Sequence, residues 1–278
     1  MKSLPLQEFY WKYQAALRET LGITELLNLR IKNAYRLKQF VSFCTPVKDR
    51  FEHLEKSFLH NLRDNENYPH VEFILLNYGC PDPRTEKWAV KTLKPYIEAG
   101  KVNYYYFPDA VFFEHAHSRN LAFRLAKGDI VCNIDADNFS GKNFADYVSA
   151  VFSKKDVFLR GPNGKGLGGR ICVRKKDWEA VGGYDERLKN WGHDDVDLAN
   201  RLGMIGLQQE TIRLKRYCRV IKHDDELRTQ YHSKNKSESS NQNKDVCNEN
   251  LRLRIIKPNG QSFGKGRVQK NFSEWIEV

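Results

Sequence analysis

No stretch of this chain approaches the roughly 20 consecutive apolar residues that a membrane-spanning helix requires, so a transmembrane class is not expected. The first residues, Met1-Lys2-Ser3-Leu4-Pro5, lead into mixed polar sequence without the apolar core of a signal peptide, which predicts a cytoplasmic protein. Cysteine is sparse: Cys44, Cys80, Cys132, Cys172, Cys218 and Cys247 show no close pairing, and several fall in apolar runs. They read as buried reduced thiols, neither a disulfide framework nor a zinc site. Helix-turn-helix, finger and RNA-binding signatures are missing too, as is any internal repeat, so nucleic acid is not an expected partner. What remains is a soluble globular composition in which 278 residues, 40% of them apolar, suffice for a sizeable core. The net charge of +11 is compatible with phosphorylated ligands or an anionic membrane surface, or with nothing more than a solvated basic face.

Within that frame the informative stretch is Gly128-Asp129-Ile130-Val131-Cys132-Asn133-Ile134-Asp135-Ala136-Asp137-Asn138. A short apolar run of β-branched character, opened by glycine and closed by acidic and amide residues, predicts an interior strand of an α/β sheet. Open α/β sheets place ligands beyond the carboxyl ends of their strands. Asp135 and Asp137 would share one face of an extended chain there and could hold a hard divalent cation, Mn2+ or Mg2+. Asp-x-Asp also occurs in plain solvated turns, so its neighbours have to decide.

The rest of the pattern agrees with an α/β class. Residues 6–38 have helical spacing with Gly22 as a break before Thr24, and carry seven basic against three acidic residues over positions 1–38. This segment either packs on the main domain or lies on an anionic leaflet. Strands are predicted at 39–44, 71–76 and 102–107, with a loop at 45–50, a helix to about Leu62 and another from Ser118 to Ala126. The span Arg160–Arg170 holds five glycines and reads as a mobile lid that includes Gly169; it lacks the Lys-Ser/Thr of a phosphate-binding P-loop. Residues 233–250 read as a polar linker, and 251–278 as a carboxy-terminal β-hairpin signalled by Asn259-Gly260.

Several motifs, taken together, resemble a family. Ser118-Arg119-Asn120-Leu121-Ala122, Ala126-Lys127-Gly128-Asp129 and Ile134-Asp135-Ala136-Asp137-Asn138 resemble the arginine-asparagine, alanine-glycine-aspartate and DxD series of inverting family-2 glycosyltransferases. Gly182-Gly183-Tyr184-Asp185-Glu186, with Asn190-Trp191-Gly192-His193-Asp194-Asp195-Val196-Asp197-Leu198, is similar to the acceptor motif of β-1,4-galactosyltransferases and chondroitin-type polymerases. Thr45 to Leu54 resembles the first nucleotide loop of those enzymes, and Arg219-Val220-Ile221-Lys222-His223 their late metal-histidine segment.

The resemblance covers about residues 40–232 and implies the GT-A fold, Rossmann-like with a mostly parallel central sheet flanked by helices. It divides the chain into an N-terminal helical segment (1–38), a transferase domain (39–232, with nucleotide-binding and acceptor-binding halves meeting near 138) and a C-terminal extension (233–278). It also implies a metal-dependent, inverting transfer of a hexose or N-acetylhexosamine from a UDP sugar to a glycan or lipid-linked glycan acceptor. Asp137 and His223 would ligate the metal, with Asp135 nearer the ribose. Thr45, Pro46, Lys48, Arg50 and one of Asn77 or Tyr78 would line the nucleotide pocket, and Arg119 would pair with a phosphate or orient Asp135, unless it forms a structural ion pair with Asp109 or Asp129. Asp195 would be the base and Asp194 an acceptor partner, unless both merely complement a helix start; Trp191 would stack on a sugar ring or belong to the core. Relatives carry aspartate where this chain has Asn77 or Tyr78, and Glu-Asp where it has Asp194-Asp195. A retaining transferase of the same fold, or a module that binds nucleotide sugars without turnover, are the other readings of these motifs.

Overall fold

The computed structural model describes residues 19–20, 22–23, 39–163, 166–222, 231–233 and 235–278. His223 and most of the helices expected before residue 39 lie outside the described residues. Of that segment Glu19, Thr20, Gly22 and Ile23 are helical. Gly22 is therefore part of a helix and not its break; it is buried, and a Cβ there would stand 3.0 Å from the Leu214 side chain, so glycine permits close helix packing.

The first half of the chain alternates strand and helix: β1 (Val41–Val47), α1 (Phe51–Asp64), β2 (Val71–Asn77), α2 (Pro83–Glu98), β3 (Val102–Tyr106), α3 (His115–Leu125), β4 (Ile130–Asn133). The second half continues with β5 (Asn138–Phe139), α4 (Phe144–Phe152), β6 (Val157–Arg160), β7 (Ile171–Arg174), α5 (Lys175–Ala180), α6 (Asp194–Met204), β8 (Gln208–Thr211) and β9 (Arg219–Val220). Last come α7 (Lys236–Leu253), β10 (Arg267–Lys270) and β11 (Glu274–Glu277).

Nine of these strands form one sheet in the order β11-β10-β3-β2-β1-β4-β7-β6-β8. The nucleus β3-β2-β1-β4 is parallel, while β7 and β10 run antiparallel to their inner neighbours. Period-2 alternation sends successive side chains to opposite cores. Phe43, Phe73, Leu75, Ile130 and Cys132 join one with α1, α2 and α4; Ile74, Leu76, Val131 and Val173 join the other with α3, α5 and α6. Both faces are covered, which is why the parallel strands read as near-continuous apolar runs.

Strand β1 runs on through Thr45-Pro46-Val47, three residues past the expected end at residue 44. Its pairing with β4 stops at Cys44↔Asn133, and Cys44 bonds toward β4 through its carbonyl to Ile134 N. Pro46 therefore turns its missing N–H to the side that β4 has already left, and the strand tolerates it.

The stretch 233–250 is not a linker. An 18-residue helix, α7, occupies Lys236–Leu253, capped by the Asn235 side chain on Glu238 N. Its buried face is Ser239, Asn243, Cys247 and Asn250, a helical stripe made of small polar groups and one thiol. That stripe docks by hydrogen bonds, so apolar periodicity does not reveal it. The carboxy-terminal hairpin is present as β10–β11, but its turn is Asn271-Phe272, both at positive φ, and not Asn259-Gly260. Asn259 instead pins the 182–186 loop through Gly182 O, Tyr184 O and Glu186 N.

Candidate functional site

At the carboxyl ends of β1 and β4 lies a cavity of about 590 Å³. Pro46, Lys48 and Arg50 line it from the end of β1; Asp135 and Asp137 from the end of β4; Arg119 from α3; Gly169 from the loop before β7; and Trp191, Asp194 and Asp195 from the start of α6. Thr45, Asn77 and Tyr78 do not line it. Thr45 is buried inside β1. The Asn77 amide donates to the Tyr104 hydroxyl at 2.8 Å while its carbonyl accepts from Cys80 N at 2.9 Å. The Tyr78 hydroxyl meets His117 Nδ1 at 2.6 Å, and its ring stacks on Phe107. Both belong to the packing beneath the site.

The chain does not stay extended through the two carboxylates. It turns, with Asn138 N donating to Asp135 O at 2.8 Å, and both side chains still reach the cavity. Their surroundings differ. Asp135 Oδ1 accepts from Arg119 Nη2 at 3.1 Å and from Asn133 Nδ2 at 2.8 Å. Burial by itself would raise the Asp135 pKa more than any other single influence, but Arg119, Asn133 and His115 together hold it below the usual carboxylate value. Asp137 accepts from Asn138 Nδ2 at 2.7 Å, and its own carbonyl accepts from Ile221 N at 2.8 Å across the β5–β9 ribbon. The ribbon thus brings the strand that precedes His223 alongside Asp137.

Arg119 joins the two halves of the site. Its Nη1 donates to Asp194 Oδ2 and its Nη2 to Asp135, and the guanidinium is almost wholly buried. Burial opposes its charge, yet Asp194 and Asp135 hold its pKa above the ordinary arginine value. The pairing is neither with Asp109 nor with Asp129. A second cation, Arg160 at the end of β6, donates to Asp195 Oδ2 at 2.5 Å. Lys48 spends its ammonium on the carbonyls of Gly79 and Ala110, at 2.6 and 2.8 Å, fixing the loop behind the cavity; burial draws its pKa down.

The glycine-rich loop passes close over these carboxylates. A Cβ on Gly168 would sit 2.8 Å from Asp195 Oδ2, and one on Gly169 would sit 2.7 Å from Arg119 Nη2 and 3.2 Å from Asp135 Oδ2. Any side chain at either position displaces a charged group of the site. Leu167 is fully buried and anchors the loop, and Gly164 and Lys165 lie outside the described residues.

Three lining residues, His115, Phe113 and Ser240, went unread in the sequence, and Arg160 was read only as the start of the glycine-rich lid. Arg160 is the last residue of a four-residue strand whose length hydrophobicity alone does not define. His115 faces His232 with ring centroids 5.4 Å apart. Burial first, then the neighbouring cations, lower both pKa values, that of His232 to about 4. Ser240 comes from α7, the segment expected to be a linker.

Among the described residues no group of three or more His, Cys, Asp or Glu side chains is arranged to hold a metal. The donor set nevertheless suits a hard cation. Asp137 and Asp135 are both cavity carboxylates, Asp137 held by Asn138 beside the β9 ribbon and Asp135 by Arg119 and Asn133.

Likenesses to known proteins fall on part of the chain and on the fold. The family described as "N-terminal domain of galactosyltransferase" matches residues 149–224, a span from α4 to just past β9. Human chondroitin sulfate synthase 3 is 40% identical over 58 residues, which is 21% of this chain and 6% of that protein. A Pyrobaculum calidifontis mannosyltransferase, solved in complex with GDP-Man and Mn2+, superposes with a TM-score of 0.53 at 17% identity, covering 70% of this chain and 63% of that one. The catalytic domain of Drosophila β1,4-galactosyltransferase 7, solved in complex with xylobiose, gives 0.51 at 16% identity, covering 73% of this chain and 79% of that one. This chain therefore spans a small part of the synthase and under two thirds of the mannosyltransferase. The shared fold is the GT-A glycosyltransferase fold.

Proposed function

On the premise of that fold, we propose that the cavity is the active site of a metal-dependent, inverting glycosyltransferase. It moves a hexose or N-acetylhexosamine from a nucleotide sugar, with a UDP sugar as the leading donor, to a glycan or lipid-linked glycan acceptor. The observation that carries this reading is the meeting in one cavity of strand-end carboxylates Asp135 and Asp137 with helix-start carboxylates Asp194 and Asp195, the two sets bridged by Arg119.

The two sets suit the two halves of the reaction. Asp137, with Asp135 behind it and His223 as a further ligand, would hold Mn2+ or Mg2+, which would offset the charge of a diphosphate leaving group. Arg50 and Pro46, which line the cavity, would contact the donor, and the Trp191 ring would stack on a sugar of the acceptor. The acceptor oxygen attacks the anomeric carbon opposite the nucleotide, and the bond to the phosphate oxygen breaks with its electron pair. The hydroxyl proton passes to Asp195. Arg160 occupies Asp195 Oδ2, leaving Oδ1 to accept that proton. Asp194, paired with Arg119, would receive a hydrogen bond from the acceptor.

A thermal-shift panel of UDP-galactose, UDP-glucose, the two UDP-N-acetylhexosamines and GDP-mannose, each with Mn2+ or with chelator, tests the donor half. Wild-type protein is expected to be stabilised by at least one donor only when metal is present. Asp137→Ala is expected to keep its melting temperature and lose that response. A response that survives in the variant or in chelator sinks the metal assignment.

The basic segment 1–38 supports a second element of the reading, peripheral attachment at the cytoplasmic leaflet near a lipid-linked acceptor. Among the described residues no helix is long and apolar enough to cross a membrane. Binding to vesicles containing phosphatidylserine should weaken with added salt, since surface attraction is screened over about 8 Å at physiological ionic strength. Equal partition onto neutral vesicles would reduce the segment to a packing element.

A further inference from the structure

We propose that Asn243, on α7, is a positioning residue for transfer, holding the turn that presents Asp194 and Asp195. The proposal rests on the transferase reading above. The turn is conformationally costly at Asn190 and His193, which have φ of 59 and 64°, with Gly192 at 101° between them, immediately before the first residue of α6. Such a backbone persists only where its surroundings over-determine it. Asn243 supplies the densest restraint. It is 4% exposed, its Nδ2 donates to Lys189 O at 2.9 Å, Gly192 O at 2.8 Å and Trp191 O at 3.3 Å, and its Oδ1 accepts from Lys189 N at 3.2 Å.

The neighbours on the stripe share the work. The Ser239 hydroxyl donates to Trp191 O at 2.9 Å, and Lys236 lies over the Trp191 ring, 4.7 Å from its centroid. Two turns further on, Asn250 Nδ2 donates to Asp185 Oδ2 at 2.9 Å and to Asp197 Oδ1 at 2.7 Å, tying α7 to α6 itself. The division of labour follows from position. Asn250 holds the helix in place, whereas Asn243 sets the path of the chain that enters the cavity.

The test is Asn243→Asp, which keeps size and shape but replaces the donor amide with a carboxylate oxygen facing three carbonyls. Asn250→Ala in the same full chain is the comparison. Amide exchange over 189–197 should quicken by about tenfold or more in Asn243→Asp. The Kd for UDP with Mn2+ should stay within about twofold of wild type, because the donor half is untouched. Transfer from the donor found in the thermal-shift panel to a glycan array should fall in kcat by an amount on the order of 10²-fold, with donor KM unchanged. Asn250→Ala should instead quicken exchange across α7, leave the 189–193 turn as in wild type, and keep wild-type kcat per folded molecule. Unchanged exchange at 189–197, or a loss of UDP binding in step with a loss of folded protein, overturns the positioning role. If wild-type protein binds no nucleotide, the transferase reading fails with it; wild-type turnover with a silent Asn243→Asp removes this inference alone.

Discussion

Arg119→Met should be about 3–5 kcal/mol less stable than wild type at neutral pH, the usual consequence of removing one partner from a buried ion pair. The guanidinium separates Asp135 from Asp194 and is itself buried, with the Asp194 side chain 7% and the Asp135 side chain 29% exposed. Without it two carboxylates share the space with no counter-charge. The pH dependence has a definite sign. The folded-state pKa of Asp135 is depressed, so the stability it contributes is present above its unfolded value of about 3.9 and is lost as pH falls through the lower folded value. The deficit of Arg119→Met should therefore narrow in acid. Arg119→Lys should restore much of the stability, yet a single ammonium cannot bridge two carboxylates as a planar fork does. Transfer by the lysine variant should remain depressed on the order of 10²-fold, the scale expected when reacting groups shift by about 1 Å. Urea unfolding between pH 3 and 7 measures the first effect, and single-turnover transfer the second; a deficit that is flat in pH would show that the bridge contributes nothing through Asp135.

Asp195→Asn separates chemistry from structure most cleanly. Asparagine retains an oxygen for Arg160 and suits the first turn of a helix nearly as well as aspartate, so the fold should change by no more than about 1 kcal/mol. It cannot accept the acceptor's proton. Transfer at saturating substrates should fall by a factor on the order of 10²–10⁴ while donor affinity persists. Asp194→Asn should behave differently, weakening the contact with Arg119 and acting mainly through the acceptor Michaelis constant. Near-wild-type turnover by Asp195→Asn removes it from the mechanism, and loss of turnover in Asp194→Asn alone passes the base to its neighbour.

The sheet and its site edge were legible because the parallel strands carry apolar residues on both faces and end in polar ones. Ile130 to Asp137 could be read as a strand leading into a candidate site for that reason, whereas Asp194 and Asp195 stood out only through the motif resemblance around Trp191, since the helical pattern after them by itself suggests a plain helix start. Pro46 misled the boundary of β1, since proline marks a strand end in isolation and only the early departure of β4 makes it acceptable within one. Asn77 and Tyr78 sit at a strand tip as a nucleotide-contacting pair would, but Tyr104, Cys80 and His117 engage them from below, and no local signal encodes those partners. The helix α7 was illegible for a different reason. Its buried face is serine, asparagine and cysteine, so a segment that contributes Ser240 to the cavity wall has the composition of a solvated tether. Arg160 shows the same limit, its role being set by where Asp195 lies 35 residues later.

The central claim is tested most directly by incubating the full chain with the nucleotide-sugar panel, Mn2+ and a glycan array, and following nucleotide release and acceptor mass together. One donor should release its nucleotide in step with the gain of a single sugar on an acceptor, only with metal present, and with inverted anomeric configuration in the product. Tight donor binding with neither transfer nor hydrolysis across the panel would contradict the account and leave a cavity that binds nucleotide sugars without turning them over.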